Sequence, residues 1–272
     1  MSDARILLPG DIGWEAIECE GTGMVAHATV EGCTGSPNRS KLAFDHSREG
    51  RGPMADFTIY LGNKNYSSWS LRPWLVLKAA GLDFDEVVIP LDEPATKAEI
   101  LRYSPSGRVP VLHHGDRVIW DGLAISEYLA ELAPERLLWP ADPTARALAR
   151  SISAEMHSGF AALRSHCPMN IRSSFPNRGV TPEAQADINR ITNIWRDCRK
   201  RFGETSVGPF LFGGFTIADA MFAPVVSRFR TFKIDLDETC QAYADAVWSL
   251  PSFQEWQTAA GNEPMIVDDA EF

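Results

Sequence analysis

Between Phe57 and Pro134 the apolar spacing switches repeatedly between a strand period and a helix period. That alternation restricts this part of the chain to an α/β unit. "FTIYL" is a short β-branched and aromatic run, read as a strand. "NYSSWSLRPWLVLKAAG" follows, and from Ser70 to Ala80 its spacing predicts a helix. Leu71, Trp74 and Leu75 share one face, Pro73 sits in the first turn where a missing N–H costs little, and Gly81 is a natural stop. "FDEVVIP" predicts a second strand, and "ATKAEILRYSP" a short helix ended by Pro105. "VPVLHH" and "RVIW" are two strands joined through "GD", a hairpin signal. "GLAISEYLAELAP" then sets Ile125, Tyr128, Leu129 and Leu132 at helical spacing. The order is β-α-β-α-β-β-α over about eighty residues, the size of one compact unit.

"PERLLWPADP" breaks the pattern, which puts a boundary there: residues 54–136 form the α/β unit and residues 143–262 an all-α bundle, with a tail at 263–272. Leu148, Ile152, Met156 and Leu163 mark one long helix, and Ile188, Ile191, Trp195, Cys198 and Phe202 a second. "TIADAMFAPVV" opens a third, with Thr216 and Asp219 spaced as a reciprocal cap and Pro224 expected to kink it. Shorter helices are expected near Tyr243–Trp248 and Phe253–Thr258. Residues 1–53 differ from all of this, being rich in Gly, Ser, Glu and Arg without a sustained period. Such composition favours a disordered leader. Alternatively the natural protein starts at Met54, where "MADFTIYLGN" opens directly into a strand.

Charge and cysteine usage narrow the function. A net charge of -10 over 272 residues argues against a nucleic-acid partner, which draws on clustered Lys and Arg. No apolar run approaches the ~20 residues that span a bilayer, and no secretory signal is visible, so no membrane partner is expected. The five cysteines (Cys19, Cys33, Cys167, Cys198, Cys240) include no C-x-x-C pair and suit a reducing cytoplasm. The six histidines offer no ligand spacing, so no metal is expected.

The serines Ser67, Ser68 and Ser70 crowd the start of the first helix, with Trp69 among them. Capping accounts for them, since Ser is among the commonest N-caps. A hydroxyl at a helix N-terminus also suits a bound anion, and the two roles are compatible: Ser70 or Ser68 can cap while Ser67 faces a ligand. The element order with "RVPVL" opening the third strand resembles the thioredoxin-like arrangement. There, a proline beside the site is usually cis, which makes Val109-Pro110 the candidate. Where that fold carries C-x-x-C, this chain reads Ser67-Ser68-Trp69-Ser70, so a reactive thiol has to arrive with a ligand.

Four motifs in order, "YSSWSLRPWLVLKAAG", "SPSGRVPVL", "WDGLAISEYLAEL" and "GGFTIADAMFAPV", resemble the cytosolic-type glutathione transferases, most closely bacterial serine-class members related to zeta. The resemblance covers about Phe57 to Ala260. It implies a thioredoxin-like N-terminal domain followed by a helical bundle, glutathione as co-substrate, a cytoplasmic homodimer and detoxification chemistry on a small electrophile. It implies that Ser67, with Ser68 as second choice, stabilises the glutathione thiolate, and that the Val109 backbone pairs with the cysteinyl unit beside cis Pro110. Asp121 and Gly122 stand where the family has Gln or Glu followed by Ser to hold the γ-glutamyl group. Trp69 stands where zeta enzymes have cysteine, and with Arg164 and Arg172 it is expected to line the second-substrate pocket. Two alternatives stay open: a zeta-type cis–trans isomerase acting on a maleylacetoacetate-like substrate, and a non-catalytic glutathione-binding module.

Overall fold

Strand β1 (Phe57–Leu61) organises the sheet. It pairs in parallel with β2 (Phe84–Val88), Phe57 opposite Phe84, and antiparallel with β3 (Val111–His114), Ile59 opposite Leu112. β4 (Arg117–Trp120) closes a hairpin on β3, giving the order β2-β1-β3-β4. The computed structural model describes residues 56–176, 178–203 and 207–271. The expectations for residues 1–53 and for a start at Met54 lie outside the described residues.

Parallel pairing of β1 and β2 needs a crossover, and helix α1 (Ser68–Ala80) supplies it. α2 (Thr96–Leu101) links β2 to β3, and α3 (Gly122–Leu132) follows β4. α1 begins two residues earlier than its apolar spacing predicts, because Ser67 is the cap: its Oγ accepts the Ser70 N–H. Leu71, Trp74, Leu75, Val76 and Leu77 are all buried. An all-round buried helix of this kind needs cover on several sides, and α3 and α7 (Ile217–Phe232) both pack against it.

The remaining elements are helical: α4 (Pro143–Ser158), α5 (Ala161–His166), α6 (Pro182–Cys198), α7, α8 (Glu238–Trp248) and α9 (Pro251–Gly261). The fold is thus a thioredoxin-like sheet-and-helix unit followed by a helical region. The single long helix expected through Leu163 is two helices. Gly159 leaves the helical region and Phe160 turns left-handed at φ 60°. Arg164 then folds back, and its guanidinium donates to the carbonyls of Met156, His157 and Gly159, taking up the open end of α4.

Residues 263–271, read from sequence as a tail, are tied to the loop before α1. The Glu263 carboxylate accepts the N–H groups of Lys64 at 2.6 Å and Asn65 at 2.9 Å. Tyr66 donates its hydroxyl to Glu271 at 2.6 Å, and Asn170 donates to the Ala270 carbonyl at 3.1 Å. Among the described residues no helix is long and apolar enough to cross a membrane.

Candidate functional site

The start of α1 presents two hydroxyls in different electrostatic states. Ser67 Oγ donates to Ser70 Oγ at 2.8 Å and accepts the Ser70 N–H at 3.3 Å. Ser70 Oγ also accepts the Gly62 N–H at 3.0 Å, so Ser67 belongs to a closed hydrogen-bond cluster. Ser68 Oγ instead accepts from Arg228 Nη2 at 3.3 Å. Both serines are buried, whereas Trp69 between them and Ser70 is 38% exposed. The Trp69 ring lies 4.7 Å from the Arg72 guanidinium and 4.9 Å from that of Arg164, with the His157 ring edge-on at 5.2 Å. Cations over an indole face are favourable.

Two of these arginines are buried without a carboxylate partner among the described residues. Arg72 donates Nε to the Met221 carbonyl at 3.2 Å, and its other two nitrogens have no partner among the described residues. Burial, followed by the charges of Arg164 and Arg228, pushes Arg72 well below the usual arginine range. Arg228, on α7, donates Nε to the Cys167 carbonyl at 2.8 Å, and its Nη1 has no partner among the described residues. Burial and Arg164 bring it down to about 9, which leaves it protonated at neutral pH.

Two cavities meet at Trp69. The larger, of about 580 Å³, is lined by Trp69, Val109, Pro110, Asp121, Gly122 and His157, among others. The Val109–Pro110 peptide is cis. Asp121, at φ 76°, caps α3 by accepting the Leu123 N–H at 2.9 Å, and its other oxygen lies 3.3 Å from His157 Nε2. A Cβ placed on Gly122 would meet the Trp69 carbonyl and Pro73 Cδ at 3.4 Å and Pro110 Cγ at 3.9 Å, so the starts of α1 and α3 converge on the proline turn. The smaller cavity, of about 340 Å³, is lined by Ser67, Ser68, Trp69, Arg164 and Arg228, with Val267, Asp269 and Ala270 from the C-terminal segment.

The chain brings no activated thiol to either cavity from its described residues. Cys167, Cys198 and Cys240 are free and buried, and burial pushes them up to about 11, 12 and 12. No group of three His, Cys, Asp or Glu capable of holding a metal occurs among the described residues. The arrangement instead offers two cavities that share Trp69: one lined by the start of α3 and the Val109–Pro110 turn, the other by the α1 hydroxyls and two guanidinium groups.

A family profile described as "Glutathione S-transferase, N-terminal domain" matches residues 66–132. The "Glutathione S-transferase zeta class" protein of Euphorbia esula is 35% identical over 195 residues, spanning 69% of this chain and 84% of that protein. This chain belongs to the glutathione S-transferase family. Its relation to the zeta class extends to the "Maleylacetoacetate isomerase" of Rattus norvegicus, 29% identical over 202 residues, 72% of this chain and 89% of the relative. Among solved structures, a glutathione transferase homologue from Burkholderia with bound glutathione superposes with a TM-score of 0.56 at 26% identity, covering 75% of this chain and 97% of that one.

Against this family background, the residues singled out from sequence divide between the two cavities. Val109, Pro110, Asp121 and Gly122 line the larger one, Ser67, Ser68 and Arg164 the smaller one, and Trp69 both. The cap of α1 is Ser67, not Ser70 or Ser68. Arg172 is absent from both linings. Its guanidinium donates to the Glu263 and Met265 carbonyls and to the Tyr66 hydroxyl, and it lies 3.6 Å from Glu271, so it fastens the C-terminal segment. Sequence reasoning missed His157, Arg228 and the C-terminal wall. Arg228 left a signal, as a charged residue amid the apolar run of α7.

Proposed function

We propose that the chain binds glutathione in the larger cavity and transfers it, as a thiolate, to a small electrophile held against Trp69 and Arg164. The observation that carries this is the convergence of Val109, Pro110, Asp121, Gly122 and Trp69 on one cavity of about 580 Å³, a volume suited to a small ligand. The Asp121 carboxylate retains lone pairs for the γ-glutamyl ammonium, although Leu123 and His157 already occupy part of it. The N–H of Gly122 at the head of α3 suits the neighbouring carboxylate. The Val109 backbone pairs with the cysteinyl unit, whose sulfur reaches the α1 hydroxyls. The Burkholderia homologue, solved with glutathione, supports the ligand assignment.

In the reaction the thiol proton leaves to solvent, the sulfur forms a bond to the electrophilic carbon, and the leaving group departs or the alkene is protonated. Titration with glutathione, followed by the ultraviolet thiolate band, tests the reading. The expected result is thiolate at neutral pH, from a pKa drawn below the free value of ~8.5. It disappears in the double variant Ser67→Ala/Ser68→Ala. Absence of both binding and thiolate in the unaltered protein would refute it.

An isomerase reading is favoured by the maleylacetoacetate isomerases among the relatives, together with two guanidiniums, Arg164 and Arg228, in the cavity lined by Ser67 and Ser68. In that case glutathione adds and leaves again, and turnover of maleylacetone separates it from transfer. A cytoplasmic homodimer fits the family, and sedimentation of the purified chain checks the dimer. Retention on immobilised glutathione with no turnover across a broad electrophile panel would favour a binding module.

A further inference from the structure

Among the described residues, Asp121 is the one carboxylate lining the larger cavity and His157 the one imidazole. They come from different parts of the fold: Asp121 stands at the head of α3, His157 in the last turn of α4. The Asp121 backbone sits at φ 76°, a costly conformation for a residue with a Cβ, which persists only where surrounding contacts hold it. One carboxylate oxygen is committed to the helix cap, accepting the Leu123 N–H at 2.9 Å. The other, Oδ2, lies 3.3 Å from His157 Nε2, and it is the oxygen left to meet a cation of the ligand.

His157 makes a second contact in the same cavity. Its ring stands edge-on to Trp69 at 5.2 Å, so the imidazole is fixed between the start of α1 and the head of α3. Its Nδ1 is buried with no partner among the described residues. With the ring proton on Nε2, Nδ1 is a bare acceptor and an N–H faces Asp121. A second proton, on Nδ1, would be a buried donor with nothing to receive it, and the ring would become a cation beside the carboxylate. The other charged groups facing this pair are guanidiniums: Arg108 in the same cavity lining, Arg72 on α1, whose charge Asp121 favours, and Arg164 on α5 over the Trp69 ring.

Resting on the glutathione reading above, we propose that His157 is the positioning residue for the γ-glutamyl ammonium. As a neutral imidazole it holds the Asp121 carboxylate in place and leaves the remaining lone pair of Oδ2 to the ligand. As an imidazolium it sets a positive charge where the ammonium has to sit. Protons and glutathione therefore bind in opposition, and affinity falls as pH falls through the range in which imidazoles titrate.

The probe is S-methylglutathione, whose sulfur does not titrate, with affinity read by calorimetry between about pH 5.5 and about pH 7.5. The unaltered protein is expected to lose about fivefold in affinity toward the acid end, the size of one partly exposed ion pair. His157→Gln, which keeps an N–H near the Nε2 position without the charge, is expected to flatten that slope. His157→Ala is expected to flatten it too, and to bind more weakly at the neutral end, a loss that the Gln variant recovers. The S-methyl form of glutarylcysteinylglycine, which lacks only the ammonium, is expected to bind the unaltered protein without the slope. A slope that survives in His157→Gln, or that the ligand without an ammonium shares, overturns the assignment, and so does a flat profile in the unaltered protein. In each of those cases glutathione still binds and the proposed function stands. If neither glutathione nor its S-methyl form binds at any pH, the proposed function falls and this inference with it.

Discussion

Gly122 illustrates how much one side chain decides at the head of α3. It opens the helix and lines the larger cavity, with no hydroxyl of its own. A Cβ there would make ordinary contacts at 3.4 Å, so the backbone accepts the Cβ of Gly122→Ser. The added hydroxyl gives the γ-glutamyl carboxylate one more charge-assisted hydrogen bond, which is worth ~1.5 kcal/mol or more. Glutathione is therefore expected to bind about tenfold more tightly to Gly122→Ser, as read by calorimetric titration. An unchanged affinity would mean that the carboxylate lies elsewhere. Asp121 and Gly122 were placed at the head of α3 by the resemblance that "WDGLAISEYLAEL" carries, a motif of consecutive residues. Arg228 was not legible in the sequence, because its partner Ser68 is 160 positions away and only the packing of α7 on α1 joins them.

At the scale of the element, α7 is held at its start by a carboxylate that the spacing of Thr216 and Asp219 announced. Asp219 Oδ2 accepts the Thr216 N–H at 2.8 Å and its hydroxyl at 2.9 Å, and Oδ1 accepts the Leu211 N–H at 3.1 Å. Asp219→Ala leaves two buried N–H groups unpaired, a cost of about 3 kcal/mol in urea unfolding. Burial raises this carboxyl to about 6 despite those bonds. The folded chain thus holds its proton more tightly than the unfolded chain does, and the associated stability, complete below about pH 4, is lost as pH rises through 6. The stability advantage of the natural protein over Asp219→Asn is accordingly expected to shrink between pH 4 and 6, measured by urea midpoints. By contrast, the division of α4 from α5 was hidden from periodicity. Leu148, Ile152, Met156 and Leu163 keep helical spacing across it, and the break depends on Gly159, Phe160 and the returning Arg164.

For the whole molecule, the consequential contact is the C-terminal segment lying back against the loop before α1. Glu263 holds the Lys64 and Asn65 backbone, Arg172 holds the segment's carbonyls, and Val267, Asp269 and Ala270 wall the smaller cavity. No described residue of this segment lines the larger cavity. Removing residues 264–272 is therefore expected to raise the KM for the electrophile by about tenfold, the equivalent of ~1.4 kcal/mol of lost contact, with glutathione affinity unchanged. Equal losses of both would show that the segment supports the fold rather than one pocket.

The sequence by itself determined the alternation of strand and helix, the cap of α7, and the lack of a redox cysteine pair at the head of α1. Each of these is encoded by neighbours within a few turns of chain, where period, capping and turn chemistry act. The tertiary structure alone decided which serine caps α1, where Arg172 points, and what closes the smaller cavity. Those outcomes depend on hydrogen bonds and unpaired charges between segments far apart in the chain, which come together only when α7 and the C-terminal residues pack against the start of α1.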